Sequence, residues 1–321
     1  MRMIPFWRDV SEQLAAGESV FVAIVVDHSI HSPGTTGARL AVFRSGQTLG
    51  TIGGGVMEHK IVERAAAGFT TVHAKPELQR LVHRKDGPGV PSGLICAGRQ
   101  TNLYAWLDPV EDRETLQKVL SGTAKADQGL QFSAEGFRHV VEIDLATAEQ
   151  SKLEVSDAKW TYTERLFNLH RIAIFGSGHC GLALSRLMLS IGYHVTVFDT
   201  RARVQTILEN TSADRKEVIS DFSVAAALIQ RPALTDAVVM TTSMLDDIGA
   251  LRGILAQPFP FIGVMGSRSK KAGIFRALKD MGWGDSDLAR ISIPVGLPMR
   301  SNTPGEIAIS VAAQLLSRSE Q

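Results

Sequence analysis

A six-residue segment in the middle of the chain has the residue types and spacing of a dinucleotide-binding turn. It reads Gly176-Ser177-Gly178-His179-Cys180-Gly181 and separates a short apolar run from an amphipathic one. Its glycines allow a tight bend, the close approach of a phosphate to the backbone, and close packing of a helix on a strand. Asp199 lies 23 residues after Gly176, at the end of a second β-rich run. The pattern predicts a phosphate site in which Asp199 binds a ribose. His179 either faces the ligand or is only hydrogen-bonded within the protein.

A second glycine turn lies in the first half of the chain. Gly53-Gly54-Gly55 exposes backbone N–H groups and leads into a helix that contains Glu58. Free N–H groups and the helix dipole favour an anion at such a helix start. Two interpretations stay open: a cradle for a phosphate or other oxyanion, and a strand-to-helix turn that needs a positive φ. The Pro/Gly loop of residues 31–42 is placed to fold over this turn.

A third turn, Gly266-Ser267-Arg268, begins a basic helix. Ser267 is a good N-cap. Arg268, Lys270 and Lys271 lie in or near the first helical turn, where cations are unfavourable unless an anion accompanies them. This placement indicates either a bound anion or a solvated basic face.

The chain has two cysteines, Cys96 and Cys180, and no Cys/His cluster with zinc spacing. Cys96 follows an apolar run near Arg99, so it is a candidate thiolate ligand for a metal or a sulfur carrier; the alternative is a small buried hydrophobic residue. Cys180 is expected to pack inward from the helix after the Gly176 turn. This cysteine usage favours a reducing, cytoplasmic compartment.

The length and the pattern along the chain predict two domains. The fold class is α/β, with an N-terminal α/β domain in residues 1–155 and a C-terminal Rossmann-like domain in residues 165–321. The polar stretch 146–168 is interpreted as the linker. From Leu169 onward strands and helices alternate, which predicts a doubly wound parallel sheet.

Composition excludes two classes of partner. A net charge of +1 and an aromatic content of 6% argue against a nucleic-acid surface. No apolar run approaches the ~20 residues of a membrane span. The N-terminal residues lack the apolar region and cleavage site of a secretory signal.

On these residues the chain resembles the XdhC/CoxI family of xanthine dehydrogenase accessory proteins. The motifs that carry the resemblance are "SPGTTGARLAV", "GTIGGGVME" and the Cys96 loop in the first half, and "FGSGHCGLAL", "VFDTR", "FIGVMGSR" and "IPVGLPMRSNTPGEIAISVAAQLL" in the second. Two departures are the segment Thr241–Asp247, which lacks an expected Thr-His pair, and Ala97, where glycine is expected. They leave open which form of the cofactor is bound and whether Cys96 is functional.

The resemblance implies a cytoplasmic maturation factor that binds molybdenum cofactor, a molybdopterin that carries a phosphate. Such proteins are thought to hold the cofactor for sulfuration, with a cysteine desulfurase as the sulfur source, and to insert it into an apo-xanthine dehydrogenase or related molybdenum hydroxylase. A homodimer is also implied. The cofactor-binding residues expected in this chain are Gly53, Gly54, Gly55, Glu58, Cys96, Gly176, Ser177, Gly178, His179, Gly181, Asp199, Gly266, Ser267 and Arg268, with Cys96 also a candidate metal ligand.

Two other functions stay open from the residues. One is an NAD(P)-dependent oxidoreductase that uses the Gly176 turn and Asp199, although no proton donor is evident in the first half. The other is a scaffold that has kept the fold and lost its ligand. In the carrier interpretation, the glycine turns of the two halves are expected to face one cleft.

Overall fold

A computed structural model of the chain describes residues 3–69, 75–82, 90–91, 98–121, 128–143, 149–157, 159–165, 168–300 and 302–318. The chain divides into two compact units, Met1–Asn168 and Leu169–Gln321. In this described part, no helix combines the length and apolar character needed to cross a membrane.

The described residues of the first unit form a six-stranded sheet, a four-stranded sheet and three helices. The six-stranded sheet has the order β3-β2-β1-β6-β4-β5 and the four-stranded sheet the order β8-β7-β10-β9. The strands are β1 (Val20–His28), β2 (Arg39–Phe43), β3 (Thr48–Thr51), β4 (Glu77–Val82), β5 (Val90–Pro91), β6 (Arg99–Leu107), β7 (Gln128–Ser133), β8 (Gly136–Val141), β9 (Ser151–Ser156) and β10 (Lys159–Arg165). The helices are α1 (Met3–Ala15), α2 (Gly55–Gly68) and α3 (Arg113–Ser121).

The six-stranded sheet separates two hydrophobic cores because its central strand, β1, is apolar on both faces. Alternate residues of β1, such as Val22 and Ile24, join one core with α1, α3 and the four-stranded sheet. The intervening residues, such as Phe21 and Ala23, join a second core under α2. The sequence reads as a continuous apolar run for this reason.

The interpretation of residues 146–168 as a linker is wrong. This stretch contains β9 and β10, which pair with each other in an antiparallel ladder. Its last strand ends in two buried charged residues, Glu164 and Arg165. The alternation that marks a strand is hidden because the buried positions here include polar residues, whose burial depends on partners far along the chain.

The second unit is a parallel six-stranded sheet with helices on both faces, as predicted. Its strand order is β13-β12-β11-β14-β15-β16. The strands are β11 (Arg171–Phe175), β12 (His194–Asp199), β13 (Arg215–Val218), β14 (Thr235–Val239), β15 (Ile262–Val264) and β16 (Ile291–Ser292). The helices are α4 (His179–Ser190), α5 (Gln205–Glu209), α6 (Met244–Leu255), α7 (Arg268–Asp280), α8 (Asp285–Leu288) and α9 (Pro304–Arg318), with 3₁₀ helices at Phe222–Leu228 and Pro232–Leu234.

Alternate residues of the parallel strands supply the two faces of this sheet. Ile172 and Ile174 of β11 pack in one core with α4 and α9. Ala173 and Phe175 of the same strand pack in the other core with α6 and α7. All the strand–helix turns that carry the predicted motifs of this half therefore emerge at the carboxyl ends of the strands, on one edge of the sheet.

Candidate functional site

The carboxyl edge of the second unit's sheet has the geometry of a nucleotide-type binding site. The strand order changes direction at β11, which pairs with β12 on one side and β14 on the other. Ligands of open parallel sheets bind outside the carboxyl ends of the strands at such a reversal. The Gly176 turn lies at this point, between β11 and α4.

The Gly176 turn is tightly packed beneath and open above. A Cβ on Gly181 would lie 2.1 Å from the carbonyl oxygen of Gly176, so only glycine allows α4 to approach the strand this closely. A Cβ on Gly178 would have no heavy atom within 4 Å. Gly178 is the N-cap of α4, and no side chain caps this helix start. The first N–H groups of α4, from His179 onward, therefore face an open position that favours an anion.

Asp199 closes the base of this turn. Its Oδ2 accepts hydrogen bonds from Ser177 N at 2.7 Å and Ser177 Oγ at 2.6 Å. Its Oδ1 accepts from Arg201 N and Arg201 Nε, both at 2.9 Å, and Arg201 Nη2 donates to Oδ2 at 2.9 Å. Burial by itself raises the pKa of Asp199, but the hydrogen bonds from Arg201 and Ser177 outweigh it and hold that pKa well below its usual range.

A second buried carboxylate ties the loops after β14 and β15 together. Asp247 is fully buried, and its Oδ1 accepts a hydrogen bond from Thr241 Oγ1 at 2.6 Å. Its Oδ2 forms an ion pair with Lys270 Nζ. Lys270 Nζ also donates to the carbonyl oxygen of Met265 at 3.1 Å. This lysine therefore fixes the start of the Gly266–Arg268 turn against the loop that follows β14.

The basic helix start is explained largely by partners within the unit. Ser267 caps α7, as predicted, by accepting from Lys270 N at 3.2 Å. Lys270 neutralises Asp247, and Lys271 Nζ lies 5.0 Å from the centre of the Phe275 ring. Arg268 is exposed and makes no ion pair with any residue in the described ranges. Of the three cations that indicated a bound anion, Arg268 is the one whose position no contact with a described residue explains.

The turn of the first unit is closed by Glu58 from the following helix. Glu58 Oε1 accepts hydrogen bonds from Thr51 Oγ1 at 2.6 Å and Ile52 N at 3.1 Å. Gly53 has φ 111°, and a Cβ there would lie 2.4 Å from Gly34 N, so the Pro/Gly loop does fold onto this turn. No side chain caps the start of α2. Glu58 makes no ion pair with a cation of the described segments, so its charge stands beside the helix start.

A buried polar ladder that sequence reasoning missed supports the same turn. Gln100 is fully buried, and its Nε2 donates to the carbonyl oxygen of Ile52 at 3.3 Å and to Asn102 Oδ1 at 2.9 Å. Ser32 Oγ donates to Gln100 Oε1 at 3.0 Å. Asn102 in turn donates to Tyr104 Oη at 3.1 Å. The available signal was the pair of amide residues, Gln100 and Asn102, at alternate positions of strand β6.

Of the two cysteines, Cys180 lies within the described residues and Cys96 does not. Gly98, two positions after Cys96, packs against the backbone of His31 and Ser32. Cys180 is half-buried against the core under α4, and burial raises the pKa of its thiol. Within the described ranges, no group of three His, Cys, Asp or Glu side chains could hold a metal ion.

Comparisons with known proteins cover both units. The family model described as the XdhC and CoxI family matches residues 13–81, and that described as the XdhC Rossmann domain matches residues 172–315. An uncharacterized protein, YqeB from Escherichia coli strain K12, is 31% identical over 147 residues, which is 46% of this chain and 27% of YqeB. The chain thus spans about a quarter of the length of that curated relative.

One solved structure matches the whole chain in fold. It is the crystal structure of a xanthine dehydrogenase from Bacillus halodurans, with a TM-score of 0.74 and 21% sequence identity. The match covers 100% of this chain and 97% of the other.

Proposed function

Because this chain belongs to the XdhC and CoxI family, we propose that it is a maturation factor for a xanthine dehydrogenase or a related molybdenum hydroxylase. In this role it holds molybdenum cofactor while a cysteine desulfurase supplies sulfur, and then inserts the cofactor into the apoenzyme. The observation that carries the proposal is the open, uncapped start of α4 at Gly178, above a carboxylate that is already neutralised.

The phosphate end of the cofactor fits this position. The backbone N–H groups of Gly178, His179 and Gly181 would hold the phosphate, because a helix start without a side-chain cap has donors to offer. Asp199 does not oppose an anion, since its charge is paired with Arg201 at 2.9 Å. Arg268, exposed at the start of α7 on the same edge, supplies a positive charge.

Other predicted residues have supporting roles in this proposal. Ser177 cannot offer its N–H group to a phosphate while it donates to Asp199, so it acts by shaping the turn. Ser267 likewise caps α7, and Gly266 leaves room for the side chain of Lys270, which an added Cβ would contact. Lys270 holds that loop through Met265 and Asp247. When bound, the cofactor supplies the metal centre on which the client's hydroxylation depends; the residues of this chain bind it, orient it and shield it.

In the first unit, Gly53, Gly54, Gly55 and Glu58 remain predicted cofactor contacts. Glu58 bears a negative charge at the helix start, which suits the pterin's N–H donors better than a phosphate. Cys96 remains a predicted sulfur or metal ligand, and a thiolate is a suitable soft ligand for a molybdenum or sulfur centre.

The experiment is purification of the full chain from cells that synthesise the cofactor, followed by metal and pterin analysis. We expect molybdenum and pterin near one equivalent each, and activation of an apo-xanthine dehydrogenase by the loaded protein. In Gly178→Asp, an aspartate at the N-cap would occupy the helix start itself and add a negative charge. The fold should tolerate it, because Asp and Gly differ by only a few tenths of a kcal/mol as N-caps, so we expect a folded protein without cofactor.

The matched control is Gly305→Asp. Gly305 is exposed near the start of α9 in the same unit, with no heavy atom within 4 Å of an added Cβ. The Gly305→Asp substitution adds the same negative charge at a helix start that Thr303 and Glu306 already cap. This variant should retain the cofactor. A well-folded wild-type protein that carries neither molybdenum nor pterin would rule out the carrier function.

A further inference from the structure

Asp199 occupies the position at which a dinucleotide-binding fold reads the ribose. It is the last residue of β12, the strand next to the glycine turn. In that fold an acidic side chain at this place accepts hydrogen bonds from the ribose hydroxyls. To do so it needs a carboxylate oxygen that the ligand can reach.

The carboxylate of Asp199 has no acceptor capacity left. It receives five hydrogen bonds, two from Ser177 and three from Arg201. A carboxylate offers about four lone-pair sites. The residue is also only 1% exposed. A ribose hydroxyl would therefore have to displace one of the existing donors.

Displacement by a neutral hydroxyl is unfavourable. Arg201 bonds both carboxylate oxygens through its guanidinium, at 2.9 Å each, and such charge-assisted, two-pronged contacts are stronger than neutral ones. The outer part of Arg201 remains accessible, with 41% of its side chain exposed. The ligand thus meets a guanidinium where a nucleotide fold for NAD presents an acid, and a guanidinium prefers a phosphate.

We infer that the Asp199–Arg201 pair is a specificity determinant, which closes the ribose position and restricts the Gly176 turn to phosphorylated ligands that are not recognised through a ribose diol. For the cofactor itself this inference rests on the proposed function. There it means that the form without a nucleotide, molybdopterin, is preferred to a dinucleotide form. The closed ribose position also distinguishes this unit from NAD-dependent oxidoreductases that share its fold.

The test measures whether the protein senses a ribose hydroxyl, using ADP and 2′-deoxy-ADP as probes in isothermal titration. The wild-type full chain should either bind neither or bind both within about twofold. Arg201→Ala removes two side-chain donors from Asp199 and opens it to the ligand. It should bind ADP at least about tenfold more tightly than 2′-deoxy-ADP, because a hydrogen bond to a charged group is worth about 1.5 kcal/mol or more.

Arg203→Ala is the matched control, because Arg203 is an exposed arginine two residues further on. It loses the same charge without touching Asp199, so it should behave as the wild type. Arg201→Lys keeps the charge but cannot bridge both oxygens, and should show an intermediate preference for ADP. It also provides the measurement if Arg201→Ala fails to fold.

Two results would overturn the inference. One is a wild-type preference for ADP over 2′-deoxy-ADP of tenfold or more. The other is a folded Arg201 variant whose preference is no larger than that of Arg203→Ala. Neither result depends on whether molybdenum cofactor co-purifies, so this inference and the proposed function can fail separately.

Discussion

The Gly53 and Gly176 turns look alike in sequence and differ in the position of the carboxylate that bonds each of them. In the first unit, Glu58 lies in the first turn of α2 and bonds the turn from above, with no cation of the described segments paired to it. In the second, Asp199 lies beneath the turn, buried and paired with Arg201. Each carboxylate accepts a hydrogen bond from a backbone N–H group of its turn. Because Asp199 is paired with Arg201, it adds no unpaired negative charge near the helix start, whereas Glu58 does.

A glycine turn before a helix is therefore not enough to predict a phosphate site. The N–H groups and the helix dipole are present in both units. What separates the two is the local charge, and this depends on whether the bonding carboxylate has a cationic partner. By this criterion the Gly176 turn suits a phosphate, and the Gly53 turn suits a hydrogen-bond donor.

The most sensitive test of the comparison places a new carboxylate in each turn. Gly178→Asp should lower cofactor affinity by about a hundredfold or more, because it puts a negative charge at the proposed phosphate site; this equals about 2.7 kcal/mol. Gly55→Asp, at an exposed position where an added Cβ meets no atom within 4 Å, should lower it by only about threefold. Gly55 is a predicted cofactor contact, but a carboxylate there faces the pterin's N–H donors and does not repel the phosphate. Affinities of the two variants are compared by titration with molybdenum cofactor. Equal losses would mean that both turns bind the phosphate alike.

The next test removes each carboxylate's charge and measures unfolding in urea. Asp199→Asn should cost about 2 to 3 kcal/mol, because the amide has one acceptor oxygen for five donors and leaves Arg201 unpaired. Glu58→Gln should cost under about 0.5 kcal/mol, since its amide oxygen still accepts from Thr51 and Ile52. Trp283, the tryptophan of the second unit, reports that unit's transition by fluorescence. A similar loss of unfolding free energy in both variants would contradict this difference between the two carboxylates.

The smallest expected effect is the pH dependence of the contribution that Asp199 makes to the free energy of unfolding. Because the folded pKa of Asp199 is lowered, its stabilising effect is complete above the unfolded pKa of about 3.9 and is lost as pH falls below it. The stability gap between the wild type and Asp199→Asn should therefore be the same at pH 7 and pH 5. At pH 3 it should be smaller by about 1 kcal/mol. A gap that changes between pH 7 and pH 5 would assign the titration to a group other than Asp199.

Sequence reasoning succeeded where the signal is local. The run from β11 through α4 to β12 was predicted because apolar strands, a glycine turn and an amphipathic helix follow one another within about thirty residues. Ser267 was identified as an N-cap for the same reason, since the bond to Lys270 N spans three residues. The parallel sheet followed from the alternation of such units.

It failed where residues distant in sequence decide the structure. Arg39 and Glu164 form a buried ion pair at 3.1 Å although they are 125 residues apart, and Trp7 also donates to Glu164 at 3.0 Å. Nothing near Glu164 indicates that it is buried, so β10 was taken for part of a linker. In the same way, the partners that saturate Asp199 could not be read from its position, although the closeness of Arg201 was visible.

The side-chain contacts that hold the loops at the carboxyl edge of the second unit are formed by residues of that unit alone. Asp199 holds Ser177, and Lys270 joins Asp247 to Met265. These loops therefore lose little conformational entropy when a ligand binds, and they gain little when it dissociates. In the proposed carrier role, release to a recipient would then require a stronger competing set of contacts rather than an opening movement, so the direction of transfer would be set by the recipient.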